Sequence, residues 1–307
     1  SWRFTSLKAL AAIDFEPAAF DAEVSREDVE RFAIPELDAV RLVFVNGRFR
    51  ADLSDDTAAL GAGVRCLTLE AATEQDLPEL RAHLGTLSRE TDDAFTALSN
   101  ANVDSGVVVI ADAGAKALKP IEVLSIATPT ERPIAAHPRN LIVAGEGARV
   151  DLVEHYVTTS DEAVYLNNAV TEIIAAERAV VHHYYLEKES EAAFAVASLK
   201  ASLAEKSDVH SHTILLGGAV VRNNVFPRLN GTDCHCLING LYVGHNRQHM
   251  DNAMRVEHNA PGCRSRQFYR GIMNGSATGV FSGRIRVDKP AQQTDAVQNS
   301  RSMLLSE

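Results

Sequence analysis

From Gly106 to the end of the chain no helical period survives, and that limits the fold more than any other feature of the sequence. Short apolar, β-branched or aromatic runs follow one another instead: VVVIA, IEVLSIA, NLIVAG, RVDLVEHYV, AVVHHYYLE, FAVASLKAS, VHSHTILLGG, GLYVG and GVFSGRIRV. Asn230-Gly231, Asn239-Gly240, Asn274-Gly275 and Ser282-Gly283 punctuate them. About two hundred residues of this kind without crossover helices predict a mostly β body. In the last run Phe281, Ile285 and Val287 share a face with Gly279 and Gly283, while Thr278, Ser282, Arg284 and Arg286 take the other, so one face is core and one is wet. A sandwich, a barrel and a β-solenoid all satisfy this pattern, and no fixed-length repeat chooses between them.

Residues 1–104 read differently, as a mainly helical region with a small hairpin, ahead of a β body at 105–307. PAAFDAEVSREDVERFAI carries Phe20, Val24, Val29 and Phe32 at near-helical spacing, with Pro17 in the first turn where its missing N–H costs nothing. A second helix is expected in SRETDDAFTALSNAN, capped by Ser88 with Thr91 in the third position. VRLVFVNGRFRADLS predicts a hairpin turning at Asn46-Gly47.

Charge and cysteine usage narrow the function. A formal net charge of -11 argues against a phosphate-backbone binder, which needs a dense Lys/Arg face. No apolar run approaches the roughly 20 residues of a membrane span. Four cysteines in 307 residues make no disulfide framework, so a reducing compartment, the cytoplasm, is expected.

Three of those cysteines and four of the eleven histidines lie between Gly231 and Cys263. Strand geometry puts Cys234 and Cys236 on one face with Ile238, and His235 on the other. Cys-x-Cys on a strand is a weak zinc signal, so both thiols read as small buried hydrophobes. Cys263, after Pro261-Gly262, is expected in a turn, exposed; with His258 it is the remaining, weak metal candidate. For His235, His245, His249 and His258 solvated strand faces or turns are the plainer reading. His210 and His212 share a face with Ile214 in a spacing also seen in cupin barrels, but the Glu a cupin needs is missing from HSHTILLGG. His182 and His183 point to opposite faces and cannot share an ion. No Gly-x-Ser-x-Gly elbow, phosphate loop or Gly-x-Gly-x-x-Gly is present.

The far end is the most specific part. His258 with its Pro261 turn, SRQFYRGI from Ser265, ATGVFSGRIRV from Ala277 and QQTDAVQNSRSMLL from Gln292 resemble the SufB/SufD family of iron-sulfur cluster assembly proteins. LVFVNGRF at Leu42, DDAFTALSNANVDSGVVVIADAG at Asp92, KPIEVLSIAT at Lys119 and RNLIVAGEGARVDLVEHYV at Arg139 extend the resemblance over nearly the whole chain. Tyr156 stands where the SufB branch carries its sulfur-accepting cysteine, so the chain resembles the SufD branch, as does its Trp2–Leu7 opening.

The resemblance implies a right-handed parallel β-helix after a helical region. It also implies a non-catalytic scaffold subunit that pairs with SufB, and with the SufC ATPase through a segment past Glu307, and that holds no cofactor stably while a transient iron-sulfur cluster forms at the complex interface. A homodimer in isolation is compatible with it. The SufD branch continues past Leu-Leu-Ser into a Cys-Ser-His motif, so this sequence is expected to be part of a longer one. Thr278, Val280, Phe281, Arg284 and Arg286 are the expected partner surface, because a terminal solenoid strand has an edge to pair. The competing functions are a β-helix polysaccharide lyase or hydrolase, whose clustered acids are not evident among the scattered Asp151, Glu154, Asp251 and Glu257, and a His/Cys metal-binding protein.

Overall fold

The computed structural model describes residues 2–18, 22–89, 93–103 and 105–306. Among these, two sheets face each other. The first runs in the order β18 (Thr278–Val287), β16 (His249–His258), β14 (Val220–Leu229), β12 (Phe194–Leu203), β10 (Tyr165–Ala175), β8 (Arg139–Ala144), β5 (Val107–Ala111) and β4 (Val64–Thr68), with β7 (Ile134–Ala136) beside β10 and β1 (Glu16–Pro17) beside β7. The second runs β19 (Asp295–Leu304), β17 (Arg264–Met273), β15 (His235–Gly244), β13 (Asp208–Leu215), β11 (Val180–Lys188), β9 (Arg149–Thr158), β6 (Ile121–Ala127), β2 (Val40–Val45) and β3 (Arg48–Phe49). Consecutive long strands alternate between sheets, and within each sheet they pair in parallel. The chain therefore winds a flattened parallel β-solenoid of about seven turns.

The coil has a period that the sequence hides. Arg149, Val180, Asp208, His235, Arg264 and Asp295 stand in one column across five parallel pairings, so successive coils take 31, 28, 27, 29 and 31 residues. At one corner every coil turns on a single left-handed residue: Gly114, Gly147, Arg178, Lys206, Asp233, Gly262 and Gln293. The backbone N–H of each of the first six donates to a carbonyl of the next coil, which continues the ladder around the bend. Glycine adopts this conformation without strain, yet four of the seven are not glycine, and the backbone ladder holds them there.

Both sheets stop at the N-terminal end in an antiparallel strand. β3 pairs antiparallel with β2 across the Asn46-Gly47 turn, where both residues have positive φ, and β4 pairs antiparallel with β5. The hairpin expected from sequence is thus present and forms the last rung of its sheet.

The helices are short: α1 (Lys8–Ala11), α2 (Arg26–Arg31), α3 (Leu69–Glu74), α4 (Pro78–His83) and α5 (Ala94–Ala101). The long first helix expected from residue 17 is corrected. Pro17 sits in β1, an edge strand where its missing N–H is tolerated, and the helix begins only after Ser25, which makes a reciprocal capping box with Asp28. Phe20 and Thr91 lie outside the described residues. Ser88 does not cap α5; Asp93 does, accepting from the Thr96 N–H at 3.2 Å.

Ser88 has another use. Arg139 is buried and donates to Glu172 at 2.9 Å, to Asn100 at 2.8 Å and to Ser88, while Glu172 also accepts the backbone N–H of Gly85 and Leu87. This network fastens the segment between α4 and α5 to the outer face of the first sheet. Leu69, Ala72, Leu77 and Leu80 of α3 and α4 and their flanks pack there on Val108, Ile110 and Leu141.

Candidate functional site

The far end of the stack has no stopper among the described residues. β18 pairs only with β16, and β19 only with β17. Val287, Val297, Met303, Leu304 and Leu305 are exposed there, apolar side chains that the rest of the solenoid buries. The expected partner surface lies on this rung. Thr278, Arg284 and Arg286 are exposed; Val280 and Phe281 are half-buried. Phe281 points inward, its ring 5.0 Å from that of Tyr269. The rungs beneath are keyed by glycines: a Cβ on Gly240 would lie 2.0 Å from the Tyr269 ring, and one on Gly271 would lie 2.5 Å from the Tyr242 ring. Arg286 pairs with Asp288 at 2.9 Å and reaches Glu257 at 3.9 Å, where Arg228 and Arg255 also converge. The outer face near β18 is thus a basic stripe on an acidic protein.

The solenoid interior is polar in one stretch. Glu154, fully buried, accepts from Tyr156 at 2.8 Å, from Thr171 at 2.5 Å and lies 2.8 Å from His183 Nε2. Burial alone would raise its pKa, but the bonds from His183, Thr171 and Tyr156 outweigh that and hold the carboxyl below its ordinary value. At a neighbouring corner buried Glu187 and Glu189 meet, with no ion pair to either among the described residues. Burial pushes Glu187 up to about 7 against the backbone N–H groups of Glu189, Gly217 and Leu216, and burial together with Glu187 pushes Glu189 well above the usual carboxylate range.

The cysteines are inert as placed. Cys234 and Cys236 lie in the core, as their strand position predicts. Cys263, expected at the surface of its turn, is buried as well, because its Sγ folds inward toward the Gly231 carbonyl at 3.2 Å, which Cys234 Sγ shares at 3.0 Å. Burial pushes the Cys234 thiol up to about 11 and the Cys263 and Cys236 thiols upward too, so all three stay protonated near neutral pH. His258 is not on a flank: it faces inward, its Nε2 2.9 Å from Ser265 Oγ, and burial lowers its pKa. Neither His258 nor Cys263 belongs to a converging group of three such side chains among the described residues. The group of three that does converge, among the described residues, is Asp208, His210 and His235 on the outer face of the second sheet. Sequence reasoning missed it because the two histidines are twenty-five residues apart and meet only when the coil length is known.

Fold and site together define a two-sheet parallel β-solenoid with its thiols buried inside. Residues 126–307 match the SUF system FeS cluster assembly SufBD core domain, and residues 1–123 match the SufBD protein N-terminal region. The iron-sulfur cluster assembly protein SufD of Escherichia coli is 30% identical over 307 residues, covering 99% of this chain and 69% of that protein. An iron-sulfur cluster assembly SufBD family protein of Synechocystis is 29% identical over 99% of the chain and 68% of its own length, and SufD of Bacillus subtilis is 22% identical over 69% of the chain and 48% of its own length. The chain belongs to the SufBD family of iron-sulfur cluster assembly proteins and is like SufD. No helix among the described residues is long and apolar enough to cross a membrane.

Proposed function

We propose that the chain is a non-catalytic scaffold subunit for iron-sulfur cluster assembly in the cytoplasm, pairing with SufB through the β18 surface and working with the SufC ATPase. The observation that carries this reading is the match of both parts of the chain to the SufBD family, and Thr278, Arg284 and Arg286 are exposed on β18 for a partner to meet. Tyr156, at the position of the SufB sulfur-accepting cysteine, spends its hydroxyl on buried Glu154. Sulfur therefore enters on the partner, and this chain shapes the interface where the transient cluster, as cargo, is built.

Light scattering on a sizing column, alone and mixed with SufB, tests the reading. A 1:1 complex replacing any homodimer is expected, and Phe281→Asp should weaken it at least about tenfold, the loss of one well-packed anchor. Undiminished pairing by folded F281D removes this face from the interface. Absence of any complex, repeated with a chain extended past Glu307, overturns the partner assignment.

A further inference from the structure

We propose that Asp208, His210 and His235 form a binding site for one divalent first-row transition-metal ion on the outer face of the second sheet, independent of the β18 surface. Asp208 and His210 are two residues apart on β13 and so share a face, and His235 stands beside Asp208 in the same column one coil on. Neighbouring strands lie about 4.8 Å apart, which is the reach of two side chains converging on one point.

The geometry is that of ligands around a shared centre. His210 Nε2 and His235 Nδ1 each lie 2.9 Å from Asp208 Oδ1, and the three ligand atoms all fall within 4.8 Å of one another. A cation bonded at about 2.1 Å to two such atoms at right angles holds them about 3.0 Å apart. His210 Nε2 is itself shielded from solvent and is held against the Asp208 carboxylate, so the two ligand atoms are already placed together.

The surroundings restrict the cation to this place. One coil back, Asp151 and His182 repeat the arrangement at 3.1 Å, but the Arg149 guanidinium lies 3.5 Å from that carboxylate and 3.3 Å from that imidazole, so a fixed cation already serves them. His182 stacks flat on His210 with centroids 4.7 Å apart, and His235 meets His210 edge-on at 5.4 Å, which fixes the ring planes of the proposed ligands. Side-chain exposures of 22% for His210, 33% for Asp208 and 39% for His235 leave the outer coordination positions to water or an incoming ligand. Two imidazoles and one carboxylate with open positions suit Fe(II), Co(II) or Zn(II) rather than Mg(II) or Ca(II).

Titration of the full chain with Co²⁺ under anaerobic conditions, followed by visible absorption and by competition with Zn²⁺, tests the site. One equivalent of Co²⁺ with d–d bands displaced by Zn²⁺ is expected. His235→Ala, at the exposed rim and compatible with folding, should lower affinity on the order of tenfold or more, and Asp208→Asn with His210→Ala should remove it. His245→Ala, which breaks an exposed His–Glu pair elsewhere, should leave it unchanged. No bound Co²⁺ on the folded chain, equal binding by folded H235A, or loss of binding in H245A alone overturns the assignment.

Discussion

Among the described residues the outermost strands at the two ends of the solenoid run in opposite senses relative to their neighbours. At the N-terminal end β3 and β4 reverse direction and turn each sheet's last edge aside, while α3, α4 and the Arg139 network cover the outer face. At the other end β18 and β19 keep the parallel direction of the coils before them. An antiparallel rung breaks the register of the coil, whereas a parallel one continues it.

If the N-terminal end is held by that buried ion pair, Arg139→Met should be the most damaging single change. It strands Glu172 in the interior, and a loss of about 3–5 kcal/mol in chemical denaturation is expected, with the double variant Arg139→Met/Glu172→Gln recovering much of it. A loss under about 1 kcal/mol would mean that the helices are not fastened there.

Matched truncations compare the ends directly. Ile173 in β10 and Ile285 in β18 face the same interior, the first fully buried and the second half-buried. Ile173→Ala should cost about 2–5 kcal/mol and Ile285→Ala about 1 kcal/mol in the isolated chain. Equal losses would break the comparison, showing the far rung to be covered in solution. Gly240→Ala probes the rungs between: its methyl meets the Tyr269 ring, for a loss of about 1–3 kcal/mol, reduced when Tyr269→Leu makes room.

The smallest effect concerns pH. Glu189 has a folded pKa raised by burial and by Glu187, so the folded state binds the proton more tightly than the unfolded chain. Its stabilising contribution is present at low pH and lost as pH rises from the ordinary carboxylate value through the raised one. Glu189→Gln should flatten that slope and raise Tm at pH 8 by about 2–4 °C, with little change at pH 5, measured by thermal melts.

Much of this was legible from sequence, and the failures have physical causes. Asn46-Gly47 announced the stopper hairpin because both positions need positive φ. The β body and the burial of Cys234 and Cys236 followed from period-2 alternation. The coil repeat did not, since Arg178, Lys206, Asp233 and Gln293 occupy corner positions where only glycine would have marked the spacing, and coils of 27 to 31 residues smear it further. The first helix was overread because the local pattern around Pro17 gave no sign that distant β7 would claim it as an edge strand. Asp208, His210 and His235 were invisible as a group for the same reason as the repeat.

The reversed strands also set an order in time. β2, β3 and β4 precede in the sequence every coil they terminate, so a chain leaving the ribosome presents its stoppers before its stack. Each later coil of the described chain therefore has the rung it pairs with already synthesised before it emerges.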